Sequence, residues 1–203
     1  MRRITALAFF FSVLVLGQIV GCALSGEKQS AAGPVYVQMT TTMGDIVLEL
    51  DRERAPISVA NFLNYVDEGA YDGTIFHRVM EEFVIQGGGH LPNLTELEGG
   101  EPIKNEWGNG LKNERGTIGM ARETEPDSAV RQWYINVADN ERLDIARDVS
   151  GGAGYAVFGR VIRGMDVVDR IRKVKTHDRE DLEMGDVPVK AIVIERVRRV
   201  DRL

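Results

Sequence analysis

The stretch FHRVMEEFVIQGGG, residues 76–89, sets a guanidinium, Arg78, and a carboxamide, Gln86, inside two short apolar runs. Gln132 opens a third, QWYINV. These groups donate hydrogen bonds without needing to titrate, since arginine stays protonated and glutamine is neutral. An alternating strand also turns every second residue to solvent, so Arg78 next to Val79 equally reads as a surface residue of a half-buried strand. The usual reactive groups are sparse. His77, His90 and His177 lie in unrelated sequence contexts, without ligand spacing or nearby paired carboxylates, so no metal site is expected. Ser128 and Ser150 lack a nucleophile elbow, and the glycines after Gln86 lack the lysine and Ser/Thr of a phosphate loop.

The chain that positions these residues has 203 of them, 43% apolar and 28% charged, which suits one soluble domain with a sizeable core. Its formal charge of −6 argues against general nucleic-acid binding, which needs a basic surface. The basic run near the C-terminus, ERVRRVDR, is interleaved with acids and reads as the solvent face of a strand. At the other end, Arg2 and Arg3 precede an apolar stretch from Ile4 to Leu16, a secretory leader pattern, with a membrane-spanning helix as the rival. The ending IVGC resembles the lipobox of bacterial lipoproteins, which implies cleavage after Gly21 and lipidation of Cys22. Cys22 is the only cysteine, so no intrachain disulfide can form. Residues 1–21 are thus expected to be a signal peptide, 22–34 a lipidated cysteine and flexible tether, and 35–203 the folded domain.

Within that domain, VYVQMTTTMGDIVLEL alternates around a turn at Met43 and Gly44, which predicts a hairpin. APISVANFLNYVDEGAY changes to helical spacing, with Pro56 in the first turn and Gly69 as terminator. RGMDVVDRIRKV predicts a second helix. The remaining strands are TIFHRVM, FVIQGG, GTIGMA, QWYINV, YAVFGRVI and VKAIVIERVRRV. Many short strands favour a closed or nearly closed barrel, because an open sheet leaves exposed edges. Long loops are expected at 91–113 and 142–154.

The blocks TIFHRVMEEFVIQGGG, PIKNEWGNGLKNERGTIGMAR, QWYINVADN and YAVFGRVIRGMDVVD, in that order, resemble the signature segments of the cyclophilin family of peptidyl-prolyl isomerases, especially its bacterial branch. The resemblance runs from about Val35 to Val200. It implies an all-β fold, a closed eight-stranded antiparallel barrel capped by two α-helices, and catalysis of rotation about X-Pro bonds without a cofactor. Arg78 stands at the position of the family's catalytic arginine. Gln86 stands where a glutamine bonds the substrate and helps hold that arginine. Phe83, Val84, Tyr134 and Leu143 fall on positions lining the proline pocket; Gln132 and the backbone of Ala121 and Arg122 fall on positions gripping the peptide.

Several residues depart from the family pattern. Val84 replaces a common methionine, and Tyr134 replaces a phenylalanine, which is expected to add a hydroxyl to the pocket floor. Arg142 holds the position of a tryptophan in many eukaryotic relatives, and Tyr155 that of their histidine, so weak cyclosporin binding is expected. The rival readings are a peptide-binding holdase with a degenerate pocket and a structural lipoprotein. The joint presence of Arg78, Gln86 and Phe83 weighs against both. The expected protein is a monomeric prolyl isomerase acting on unfolded or partly folded proline-containing polypeptides. It is expected to be held by Cys22 on the periplasmic side of the envelope, at the outer membrane rather than the inner because Ala23 follows the cysteine.

Overall fold

The structure, a computed structural model, describes residues 33–201. The leader, Cys22 and most of the tether lie outside the described residues. Strands β1 (Val35–Thr41) and β2 (Gly44–Leu50) form the expected hairpin, in register from Val35 opposite Leu50 to Thr41 opposite Gly44. The Thr41 hydroxyl donates to the Gly44 carbonyl at 2.7 Å and accepts from the Met43 N–H at 3.0 Å, which closes the turn. Helix α1 (Pro56–Asp67) buries Val59, Phe62, Leu63 and Val66, the face its periodicity required. No side chain of its own caps the first turn. Instead the Glu106 carboxylate, carried on the long loop, accepts from the N–H groups of Ile57 at 3.0 Å and Ser58 at 2.8 Å. An anion there also suits the positive end of the helix dipole.

Strands β3 (Phe76–Val79), β4 (Val84–Gly87), β5 (Thr117–Met120), β6 (Trp133–Asn136) and β7 (Val157–Arg163) follow, then helix α2 (Met165–Ile171). The last elements are β8 (Thr176–Arg179), β9 (Met184–Pro188) and β10 (Ile194–Val200). Eight strands make one antiparallel sheet in the order β10-β1-β2-β7-β5-β6-β4-β3. Its two ends meet through an antiparallel bridge between Ile75 and Val193, flanked by bonds from Phe76 N–H to Ile192 C=O and Ile194 N–H to Thr74 C=O. The sheet thereby curls into the expected barrel, although this seam is a short bridge rather than a full ladder.

Inside it, Phe62, Tyr71, Phe76, Trp133 and Phe158 are fully buried, with Phe76 and Trp133 edge to face at 5.5 Å. Burying each such side chain contributes roughly 1.5–3 kcal/mol, so this cluster anchors the strands that carry the site.

The ribbon β8–β9 is an element that sequence periodicity does not predict. Its residues, THDREDLEMGDVP, are rich in charge and mostly exposed, and bury little beyond Val187 and Pro188. It packs beside β3.

Candidate active site

Cross-strand register builds the site. Arg78 on β3 lies opposite Gln86 on β4, Gln86 lies opposite Tyr134 on β6, and Tyr134 lies opposite Gly119 on β5. Opposed residues share a face, so this row stands on one surface of the sheet while Ile85, Trp133 and Ile135 point into the core. The end of the row needs glycine. A Cβ at Gly119 would sit 2.5 Å from the Tyr134 hydroxyl oxygen.

On this surface Val84, Tyr134 and Leu143 form a small buried apolar cluster apart from the main core, bordered by half-buried Phe83, Ala121 and Tyr155. The family resemblance implies a proline pocket of Phe83, Val84, Tyr134 and Leu143, and the fold brings these four together, with Ala121 and Tyr155 beside them. Leu143 arrives on a single 3-10 turn, Glu141–Leu143, and its carbonyl accepts from the Tyr155 N–H at 2.8 Å. Phe83 is held by its own carbonyl, which accepts from Asn140 Nδ2 at 2.8 Å and the Val137 N–H at 3.1 Å.

The Tyr134 hydroxyl does not join the pocket as expected. It donates to Asn113 Oδ1 at 2.6 Å, while Asn113 Nδ2 donates to Asp144 Oδ1 at 2.8 Å. Burial, reinforced by neighbouring Tyr155 and Asp144, raises the phenol pKa well above 10, so it remains a neutral donor. The ring therefore presents an apolar face much as phenylalanine does. Asn113 and Asn140 escape sequence reading because each sits in a loop and acts on a partner distant along the chain.

Two arginines frame the pocket. The Arg142 guanidinium lies 4.1 Å above the Phe83 ring, and that of Arg122 lies 4.3 Å above Tyr155. Arg122 also donates to the carbonyls of Glu123, Thr124, Ser150, Ala153 and Gly154 at 2.8–3.3 Å. Sequence comparison implicated only its backbone; the side chain pins the loop that supports Tyr155.

Beside the pocket, Gln86 Nε2 donates to Gln132 Oε1 at 2.9 Å. The Gln132 side chain occupies the space where a Cβ at Gly89 would come within 2.6 Å of it. A cleft of about 380 Å³ continues from these residues past Ala121 and Arg122 to Glu96 and Glu98. Gln86 does not contact Arg78 by a hydrogen bond here. The charged partner of Arg78 is Asp186 of β9, at 3.8 Å from Nε to Oδ2.

His77 and His90, which the sequence presents as unrelated, have ring centroids 4.3 Å apart. Both are buried, and the Nδ1 of each lacks a hydrogen-bond partner. Burial, then His90 and the Arg78 charge, depress the His77 pKa to about 3, with Gln132 opposing weakly. Burial likewise lowers the pKa of His90, against the pull of Glu96. Two neutral imidazoles result. No group of three or more His, Cys, Asp or Glu side chains suited to a metal converges among the described residues.

The assembled geometry is a small apolar cluster set apart from the core, on the same face of the sheet as a row that carries a guanidinium and beside a pair of hydrogen-bonded carboxamides. It offers hydrogen-bond donation without an activated nucleophile.

Comparison with known proteins agrees. The family model described as cyclophilin type peptidyl-prolyl cis-trans isomerase/CLD matches residues 36–199. Peptidyl-prolyl cis-trans isomerase A of Dickeya dadantii is 47% identical over 174 residues, covering 85% of this chain and 88% of that protein. Peptidyl-prolyl cis-trans isomerase B of Escherichia coli is 48% identical over 161 residues, covering 79% and 97% respectively. The crystal structure of a cyclophilin type peptidyl-prolyl cis-trans isomerase from Cryptosporidium parvum superposes with a TM-score of 0.71 at 25% identity, covering 84% of this chain and 99% of that one.

Proposed function

We propose that this chain, which belongs to the cyclophilin-type peptidyl-prolyl cis-trans isomerase family and catalyses rotation about X-Pro peptide bonds, does so through Arg78 and serves protein folding in the bacterial cell envelope. The amide C–N bond resists rotation by roughly 18–20 kcal/mol because of its partial double-bond character. No covalent bond need break. The pocket of Val84, Tyr134, Leu143 and Phe83 holds the proline ring while Gln86, Gln132 and the Ala121 and Arg122 backbone hold the peptide on either side of it. As the bond twists, conjugation is lost and the prolyl nitrogen regains a lone pair, which Arg78 stabilises by donating to it. The donation is stronger in the twisted state than in either planar isomer, which is the condition for catalysis.

The observation that carries this reading is the register row placing Arg78 opposite Gln86, next to an apolar cluster separate from the core. A charge-assisted bond made chiefly in the transition state is worth roughly 1.5–3 kcal/mol, about ten- to a hundredfold in rate. Arg78→Ala is therefore expected to remain folded by circular dichroism and to lose that much activity in a protease-coupled proline-peptide assay. A folded variant isomerising at the wild-type rate would remove Arg78 from the mechanism.

The envelope assignment rests on Arg2, Arg3, the apolar run and the IVGC segment. One acyl chain binds a membrane only marginally, whereas the diacylglyceryl thioether and N-acyl group of a lipoprotein anchor it firmly. Fractionation of cells is expected to place the wild type with the outer membrane and Cys22→Ala in the soluble fraction. Identical partitioning of the two would count against lipidation.

A further inference from the structure

We propose that Asp186 is a positioning residue for Arg78, holding the Nε edge of the guanidinium and leaving its terminal nitrogens for the substrate. The inference rests on the role given to Arg78 above. Asp186 is the ion-pair partner of Arg78 among the described residues, and their closest approach is from Nε to Oδ2. Gln86, directly across the ladder, is engaged with Gln132 and leaves the arginine to the ribbon.

The ribbon fixes where that carboxylate stands. Asp186 has φ +57°, a left-handed conformation that aspartate and asparagine adopt more readily than other residues with a side chain. Its N–H donates to Asp178 Oδ1 at 3.1 Å, and its neighbour Val187 is buried and paired with His177. The ribbon in turn packs on β3, the strand that carries Arg78. The acid is thus tied to the same frame as the base it faces.

The looseness of the pair matters. At 3.8 Å, with side chains 41% and 38% exposed, it aligns the guanidinium without locking it away. An arginine has several rotatable bonds, and ordering them beforehand removes an entropy cost from the climb to the transition state. The effect belongs in kcat, since Asp186 is not among the residues of the pocket or cleft. It should also respond to salt, because exposed pairs are screened.

Isomerisation by the purified protein, by Asp186→Asn, by Arg78→Ala and by the double variant tests this. Asparagine accepts the left-handed conformation and removes only the charge. Asp186→Asn is expected to lower kcat roughly three- to tenfold with KM unchanged. Raising salt from about 0.01 to about 1 M should bring the wild-type rate toward that of Asp186→Asn while the variant stays flat. In the Arg78→Ala background Asp186→Asn should cost nothing further. If Arg78→Ala is impaired but Asp186→Asn equals the wild type, or loses the same factor in both backgrounds, the positioning role is overturned. If Arg78→Ala itself runs at the wild-type rate, the reading of Arg78 fails first and takes this one with it.

Discussion

Arg142 shows how one side chain can leave the chemistry intact and alter what binds. It is exposed, and its guanidinium covers the Phe83 ring at 4.1 Å, so the rim of the apolar pocket carries a charge. The indole found there in many eukaryotic relatives offers a flat apolar face and an N–H donor, whereas a guanidinium is costly to desolvate under a bulky ligand. Losing such an aromatic anchor costs about 2 kcal/mol or more. Weak inhibition by cyclosporin is therefore expected beside normal catalysis, and Arg142→Trp should bind it roughly thirtyfold more tightly. Titrating both proteins decides this; tight inhibition of the wild type, or no gain in the variant, would show that selectivity lies elsewhere. Tyr134 makes the opposite point. Its hydroxyl looks like a change to the pocket, yet Asn113 takes it up behind the floor.

Among elements, the segment from Ser150 to Gly154 depends on Arg122 more than on any secondary structure. Five backbone carbonyls from two stretches of chain converge on that guanidinium, which also stacks on Tyr155. Lysine has the charge but not the planar fork, so it can satisfy only some of these acceptors. Arg122→Lys is expected to cost roughly 1–3 kcal/mol, the penalty for stranded polar groups. It should also raise KM, because the carbonyl of Leu143 is tied to Tyr155. Urea unfolding and steady-state kinetics of the variant measure both, and wild-type values in each would mean the loop holds itself. The ribbon β8–β9 is the complementary case, an element with little buried surface whose place beside β3 gives Asp186 its access to Arg78.

At the scale of the whole molecule, the His77–His90 pair links folding to pH. The His77 pKa is about 3 in the folded protein against 6.5 for the free side chain. Between those values the unfolded chain takes up a proton that the folded one refuses. Stability is therefore fully present above pH 6.5 and lost as pH falls toward 3, by up to ~1.4 kcal/mol per pH unit from this group. His90, also lowered, adds to the same trend. Urea midpoints at pH 7.5, 6 and 5 should fall in that order, and His77→Phe should flatten the slope. Midpoints independent of pH over this range would mean that the buried imidazoles are accommodated when charged.

How much of this was legible beforehand follows from the range of the interactions. The β1–β2 hairpin, helix α1 with its buried Val59, Phe62 and Val66, and helix α2 are local patterns of period two or 3.6, so the linear chain displays them. The pocket residues could be named because ordered blocks matched a family, and register then placed Gln86 between Arg78 and Tyr134. Charged, exposed β8–β9 has no periodicity to read, since backbone pairing alone defines it. His77 and His90, thirteen positions apart by their numbering, meet only because the barrel brings Ile75 and His90 into backbone contact. The sequence by itself determined which chemistry was possible, a permanent donor beside an apolar slot, because that depends on residue type. The tertiary structure alone decided that the donor faces Asp186, that Arg122 grips a loop and that the tyrosine hydroxyl turns away, because each of these contacts joins groups distant along the chain.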